Sequence, residues 1–235
     1  SRGEESIRIN GLVWMGKLSF MKAQIEEKIE PGFDCVKLKI GALNFNDELS
    51  LLKGVRKSFS QDQITLRVDA NGAFSPLDAM EKLKALADLD VHSIEQPIAA
   101  GQPKAMSDLC KNTPIPIALD EELIGVIEKK EKALLLDTIE PQYLILKPSL
   151  LGGFQSCQEW ILLAEERSIG WWVTSALESN IGLNAIAQWT FSTGIKTHQG
   201  LGTGSLFTNN FTSPLEVSIG YLTFNSKQNW DTSLL

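Results

Sequence analysis

The sequence predicts an α/β protein, a (β/α)8 barrel of the TIM type. Short apolar, β-rich runs alternate with amphipathic stretches of helical period from one end of the chain to the other. Eight such strand runs fit into 235 residues, close to the size of a complete barrel. No glycine-rich nucleotide loop follows the first strand run, where Met15-Gly16-Lys17 stands instead. That speaks against an open doubly wound sheet.

The expected strands cover 7–14, 33–40, 64–69, 91–95, 115–119, 142–147, 169–174 and 195–198. Between them the helical pattern predicts helices over 18–29, 47–59, 76–86, 104–111, 123–136, 154–166 and 181–191. The barrel is expected to occupy residues 1–214. From 215 to 235 the pattern weakens to a loose alternation of Val217, Ile219, Tyr221 and Phe224, which predicts an extended tail.

Composition narrows the function classes. Hydrophobic residues make up 43% and charged residues 22%, which excludes disorder and is enough for a sizeable core. The net charge of −7, with acids and bases interspersed, argues against a nucleic-acid surface. No run of about 18 apolar residues offers a membrane span. Cys35, Cys110 and Cys157 lie far apart, without the spacing of a zinc site or a disulfide framework, and are expected in the core. The charged start Ser-Arg-Gly-Glu-Glu does not read as a secretory signal, so a cytoplasmic location is expected.

Polar residues recur where strand runs end. From Lys39 the steps to Asp69, Glu95, Asp120, Lys147 and Ser175 are 30, 26, 25, 27 and 28 residues, one βα unit each. In a closed barrel these residues ring the C-terminal mouth, where such barrels keep their chemistry. Strand alternation sends Val36, Leu38 and Ile40 outward onto helices and Cys35, Lys37 and Lys39 inward. By the same rule Arg67, Asp69 and Lys147 face in, whereas His92 is expected on the outer face with Ile94.

Buried lysines and carboxylates are costly unless they neutralise one another or hold an ion. Asp69, Glu95 and Asp120 are hard oxygen donors from three neighbouring strands, a set suited to Mg2+, with Mn2+ also possible. Lys39 and Lys147 flank them and could face each other across the metal. A lysine crowded by Lys37 and a cation, and partly desolvated, is expected to work as a general base near neutral pH. The reaction class is proton abstraction next to a carboxylate, on a small-molecule carboxylate substrate. A structural ion-pair cluster would account for the charges, but not for two lysines set around three acids. The loop Gly202-Thr203-Gly204 reads as a plain turn, and Trp171-Trp172 as helix–sheet packing.

Taken together, Lys37-Leu38-Lys39, Asp69-Ala70-Asn71, Glu95-Gln96-Pro97, Asp120-Glu121 and Lys147-Pro148 resemble the enolase superfamily, in its muconate-lactonising-enzyme-like subgroup. The resemblance covers nearly the whole chain, and this superfamily uses a Lys or His base with Mg2+. Within the subgroup, the stretch from Ser175 to Asn180 and the segment from Gln199 to Asn210 most resemble the o-succinylbenzoate synthase family. Dipeptide epimerases carry an acidic pair on the eighth strand; here that position, His198 to Gly202, has no acid.

The resemblance implies a syn dehydration of 2-succinyl-6-hydroxy-2,4-cyclohexadiene-1-carboxylate to o-succinylbenzoate, a lyase step of menaquinone biosynthesis. Lys39 would be the base, Lys147 the cation opposite, and Asp69, Glu95 and Asp120 the metal ligands. Lys37, Asn71, Glu121, Ser175, Gly200 and Gly202 would support these groups or touch the substrate. The alternative outcome is an N-acylamino-acid racemase or another racemase or cycloisomerase of the subgroup. Members also carry an N-terminal α+β capping domain. Because this chain starts almost at the first barrel strand, the cap is expected to be absent from it. Metal binding is then expected to survive and turnover by the chain alone to be weak.

Overall fold

The computed structural model describes residues 6–204 and 207–231. Seven parallel strands form one curled sheet in sequence order: β2 (Gly11–Val13), β3 (Cys35–Lys39), β4 (Thr65–Asp69), β5 (Val91–Glu95), β6 (Ile117–Leu119), β7 (Tyr143–Leu146) and β8 (Gly170–Val173). Seven helices alternate with them: α1 (Leu18–Ile29), α2 (Phe45–Ser58), α3 (Ala79–Ala87), α4 (Pro103–Asn112), α5 (Lys129–Ile139), α6 (Gly153–Glu165) and α7 (Asn180–Ser192). The outward strand residues, among them Val36, Leu38, Leu66, Val68, Leu144 and Leu146, are buried against the helices. This is the predicted barrel. No helix among the described residues is long and apolar enough to cross a membrane.

Two strand expectations are corrected. The first run, 7–14, breaks at Asn10. Its start is β1 (Ser6–Arg8), which leaves the barrel and pairs antiparallel with β10 (Tyr221–Phe224). The eighth run, 195–198, is not a strand; the pairing falls on Gln199 and Gly200, each in a single parallel bridge. Gln199 donates its N–H to Arg8 O and accepts from Asn10 N–H, at 2.8 and 3.0 Å. Gly200 donates to Val173 O and accepts from Ser175 N–H, at 2.8 and 3.0 Å. These four bonds close the cylinder.

The Gln199 side chain completes the seam: its Oε1 accepts from Val173 N–H at 2.7 Å, and its Nε2 donates to Thr197 O. A side-chain amide thus stands in for a backbone partner. Gly200 is required at this point, because a Cβ there would lie 2.5 Å from Thr174 Oγ1. Gly200→Ala is expected to destabilise the fold by about 1–3 kcal/mol through overpacking. Urea denaturation checks this; an unchanged midpoint would mean that the seam relaxes freely.

The tail, expected to be merely extended, forms a hairpin. β9 (Leu215–Ser218) pairs antiparallel with β10 across a turn at Ile219 and Gly220, both at positive φ. Positive φ at both central residues matches the strand twist of a tight hairpin. With β1 this makes a three-stranded antiparallel sheet, tied to the barrel where Ile9 N–H donates to Gly220 O at 2.8 Å.

The helix starts also position the mouth. The Asn44 side chain caps α2, accepting from Asn46 N–H. Glu48 in the first turn accepts from the N–H groups of Gly41, Ala42 and Leu43 through one oxygen, at 2.8, 3.2 and 3.0 Å. That carboxylate pins the loop that follows Lys39. α5 begins later than the helical pattern predicts. A 3-10 turn at Glu121–Leu123 and left-handed Gly125 interrupt the chain after Asp120.

Candidate active site

The barrel interior is layered. At its lower end Ala118, Ile145 and Trp172 form a small apolar cluster with Tyr143 packed on it. The Arg67 guanidinium lies 4.0 Å over the Trp172 ring and donates to His198 O at 3.0 Å. His92 is corrected here. A bulge pairs Leu66 with Val91 and Arg67 with Ser93, which leaves His92 without a partner. Its ring stands 5.4 Å from Tyr143 instead of on the outer face, and burial pushes its imidazole down to about 4.

Above this plug lie the charges. Parallel register sets Lys37 beside Arg67, Lys39 beside Asp69, and Asp69 beside Glu95. Asp69, Glu95 and Asp120 are each at most 2% exposed. Lys37 donates to Glu95 Oε2 and reaches Asp69 Oδ2 at 3.0 Å. Lys39 donates to the same Asp69 oxygen and to Asn71 Oδ1 at 2.9 Å. On the opposite side Lys147 donates to Asp120 Oδ2 and lies 3.9 Å from Glu95 Oε1. The sequence-predicted lysines and acids therefore meet in one cluster at the mouth, and the two flanking lysines engage it from both sides.

The electrostatics follow from this crowding. Burial raises the Asp69 carboxyl, but the Lys37 and Lys39 charges outweigh it and hold the group well below the usual carboxylate range. Burial, together with the Asp69 and Asp120 charges, pushes Glu95 well above that range in spite of Lys37 and Lys147. Burial lowers Lys37 and Lys147, yet the neighbouring carboxylates win and raise both: Asp69 and Glu95 for Lys37, Glu95 and Asp120 for Lys147.

The supporting residues hold these groups in place. Asn71 bridges Lys39 to Glu121, donating to Glu121 Oε1 at 2.8 Å, while its own N–H donates to Asp69 Oδ1 at 3.0 Å. Gln96, to which the sequence reading gave no role, is fully buried and sits at φ 40° just after Glu95. Its Oε1 accepts from the N–H groups of Asp120 and Glu122, and its Nε2 donates to Ile98 O. A positive φ at a non-glycine residue is strained, and this network over-determines it. Asn71 shows the same feature after Asp69, at φ 43°.

A cavity of about 210 Å³ opens beside the lysines, lined by Lys37, Lys39, Lys147, Ser175, Gly200 and Gly202 among others. Ser175 Oγ lies 2.7 Å from Thr203 Oγ1 and donates to Gly200 O at 3.3 Å. Gly200 forms a wall of the cavity, since its own N–H is spent on Val173 O. Asn10, Trp14 and Thr174 also line the cavity and were missed. Asn10 left a trace in the sequence, as a carboxamide within the mostly apolar run 7–14.

Among the described residues no three His, Cys, Asp or Glu side chains are gathered closely enough to hold an ion as they stand; a lysine engages each of the three acids instead. The donors themselves suit a hard cation: they are carboxylate oxygens from adjacent strands, and buried Glu95 Oε1 has no hydrogen-bond partner among the described residues.

Comparison with known proteins bears on this arrangement. The family described as Enolase C-terminal domain-like matches residues 21–228. The chain belongs to that family. Within it, the chain is 56% identical over 222 residues to the o-succinylbenzoate synthase of Desulfotalea psychrophila, covering 94% of this chain and 60% of that protein. It is 35% identical over 158 residues to the N-succinylamino acid racemase of Thermus thermophilus, covering 67% of this chain and 40% of the racemase. The crystal structure of MenC from Desulfotalea psychrophila superposes with a TM-score of 0.88 at 55% identity, over 94% of this chain and 61% of that one. This enolase-type barrel thus spans about three fifths of the length of its synthase relative.

Proposed function

We propose that the chain is the barrel of an o-succinylbenzoate synthase. It would act on 2-succinyl-6-hydroxy-2,4-cyclohexadiene-1-carboxylate in menaquinone biosynthesis, in the cytoplasm. The observation that carries the reading is the cluster of three lysines and three acids on consecutive parallel strands at the edge of the 210 Å³ cavity. The 56% identity to a synthase supports the choice of reaction. The fragment 1–214 would be the catalytic barrel and 215–235 its tail.

Asp69, Glu95 and Asp120 would hold Mg2+, or Mn2+ in its place. When bound, the ion would supply positive charge beside the substrate carboxylate and so ease breaking of the neighbouring C–H bond. Lys39 takes the α-proton on Nζ. The C–O bond to the 6-hydroxyl then breaks on the same face, and Lys39 returns that proton to the departing oxygen, so that one water leaves and the ring becomes aromatic. Lys147 stays an ammonium on the other side and stabilises the negative charge that builds on the carboxylate oxygens. Lys37 binds Asp69 and Glu95 and keeps both carboxylates in place beside Lys39. Asn71 holds the Lys39 amino group in place, accepting from Nζ on one side of its amide and donating to Glu121 on the other. Ser175, Gly200 and Gly202 shape the substrate wall.

The racemase relative favours a second outcome at the same lysines, proton return from the opposite face. Incubation with Mg2+ and the cyclohexadiene substrate, followed by ultraviolet absorbance, is expected to yield o-succinylbenzoate. A parallel incubation of N-succinyl amino acids in D2O reads racemisation. Exchange and racemisation without any o-succinylbenzoate would replace the synthase reading with the racemase one.

A further inference from the structure

One residue ties together the three strand ends that carry the acids. Gln96 follows Glu95 directly and is 0% exposed. Its backbone C=O accepts from Gly72 N–H at 2.7 Å, in the loop that Asp69 opens. Its N–H donates to Ala118 O at 2.9 Å, on the strand that leads to Asp120. The side-chain Oε1 accepts from Asp120 N–H at 3.1 Å and from Glu122 N–H at 3.3 Å. The Nε2 end is fixed as well, donating to Ile98 O at 3.0 Å and to Glu122 Oε2 at 3.3 Å. Glu122 in turn accepts from Gly101 N–H at 3.0 Å.

The backbone shows why such a clamp is needed. Asp120 sits at φ −124° and ψ −82°, outside the main helical and extended basins. Gln96 at φ 40° and Asn71 at φ 43° stand in the left-handed region. Each acid thus lies at, or within two residues of, a strained position. Such strain persists only where surrounding bonds over-determine it, and it clusters at functional sites. Gly72 shows how closely the loops are drawn together, since a Cβ there would lie 2.8 Å from Ala99 Cα.

A fixed spacing of strand ends matters where acids share an ion. Mg2+ demands near-octahedral oxygen ligands at about 2.0–2.1 Å, whereas Ca2+ accepts about six to eight ligands at about 2.3–2.6 Å in looser geometry. Rigidly placed carboxylates therefore favour the smaller ion, and loosened ones lose that advantage. We infer that Gln96 is a positioning residue that fixes the spacing of the strand ends bearing Asp69, Glu95 and Asp120, and thereby sets the preference of the site for Mg2+ over Ca2+. This rests on the proposed function, in which those acids hold the ion, and deepens it. Gln96 acts at one remove: its amide bonds to backbone groups and to Glu122, while Asp69, Glu95 and Asp120 keep their carboxylates for the ion.

Calorimetric titration with MgCl2 and, separately, with CaCl2 tests this in Gln96→Met and Gln96→Asn, with urea denaturation to show which variants fold. Met fills the space without an amide. Asn tolerates the left-handed backbone but ends one methylene short of the two N–H groups. Mg2+ affinity is expected to fall by about 10–100-fold in both, the usual effect of removing a residue behind the direct ligands. Ca2+ affinity should fall by about threefold or less, because a loosened ligand set still suits it. A merely structural role would weaken both ions in parallel. Any result in which Ca2+ does not gain on Mg2+ in a folded variant overturns the inference and leaves the proposed function intact. So does a parent chain that binds Ca2+ at least as tightly as Mg2+, or failure of both variants to fold, which would make Gln96 a residue of stability alone. No binding of Mg2+ by the parent chain overturns both.

Discussion

Lys39→Ala is expected to lower formation of o-succinylbenzoate by about 10⁴-fold, the upper end of what a positioned proton-transfer group contributes. The large effect follows from the double duty proposed for it, first as base and then as acid to the leaving oxygen. The fold should survive. Asp69 keeps its ion pair with Lys37, and the Lys39 side chain is partly open to solvent, so nothing buried loses its last partner. Entry of solvent deuterium into N-succinyl amino acids should stop as well, which isolates the proton step from dehydration. Circular dichroism melting provides the folding control. Turnover within about tenfold of the parent would remove Lys39 from the proton path.

Asp120→Asn should weaken Mg2+ binding by about 100-fold, because even residues behind a metal's direct ligands typically carry a 10–100-fold effect. Without the ion the same change should also cost stability. Lys147 loses the negative charge of its partner, though an amide oxygen can still accept from it, and its remaining carboxylate is Glu95, 3.9 Å away. Breaking a buried pair typically costs 3–5 kcal/mol, and the partial exposure of Lys147 reduces the expected loss to about 2 kcal/mol. Calorimetry with Mg2+ and urea denaturation in chelator read the two effects separately. Undiminished Mg2+ affinity would take Asp120 out of the metal site, whatever happened to stability.

The charged cluster was legible because two periods coincide. Alternation within a strand picks out Lys37 and Lys39 as inward, and the repeat of the βα unit sets Asp69, Glu95, Asp120 and Lys147 at successive strand ends. Both periods are local and survive in the primary structure. The parts that escaped depend on groups standing in for one another in space. Gln199 closes the barrel with a side-chain amide, which hydropathy patterning does not register, so the strand was expected on the β-branched residues just before it. His92 changes sides because one extra residue enters β5, and a bulge leaves no mark in alternation when its neighbours Val91 and Ser93 are both buried. Gln96 has its effect through bonds to residues more than twenty positions away, and only the folded chain shows that it fastens the Asp120 loop. The hairpin after Leu215 becomes readable once β1 is seen to leave the barrel and pair with it.

The way the cylinder is shut also governs how it can be made. Until Gln199 and Gly200 have left the ribosome, β2 and β8 are bare margins, with open rows of donors and acceptors that any passing strand could adopt. The half-built sheet must therefore wait, shielded or at risk, for two residues to arrive and join its first strand to its seventh.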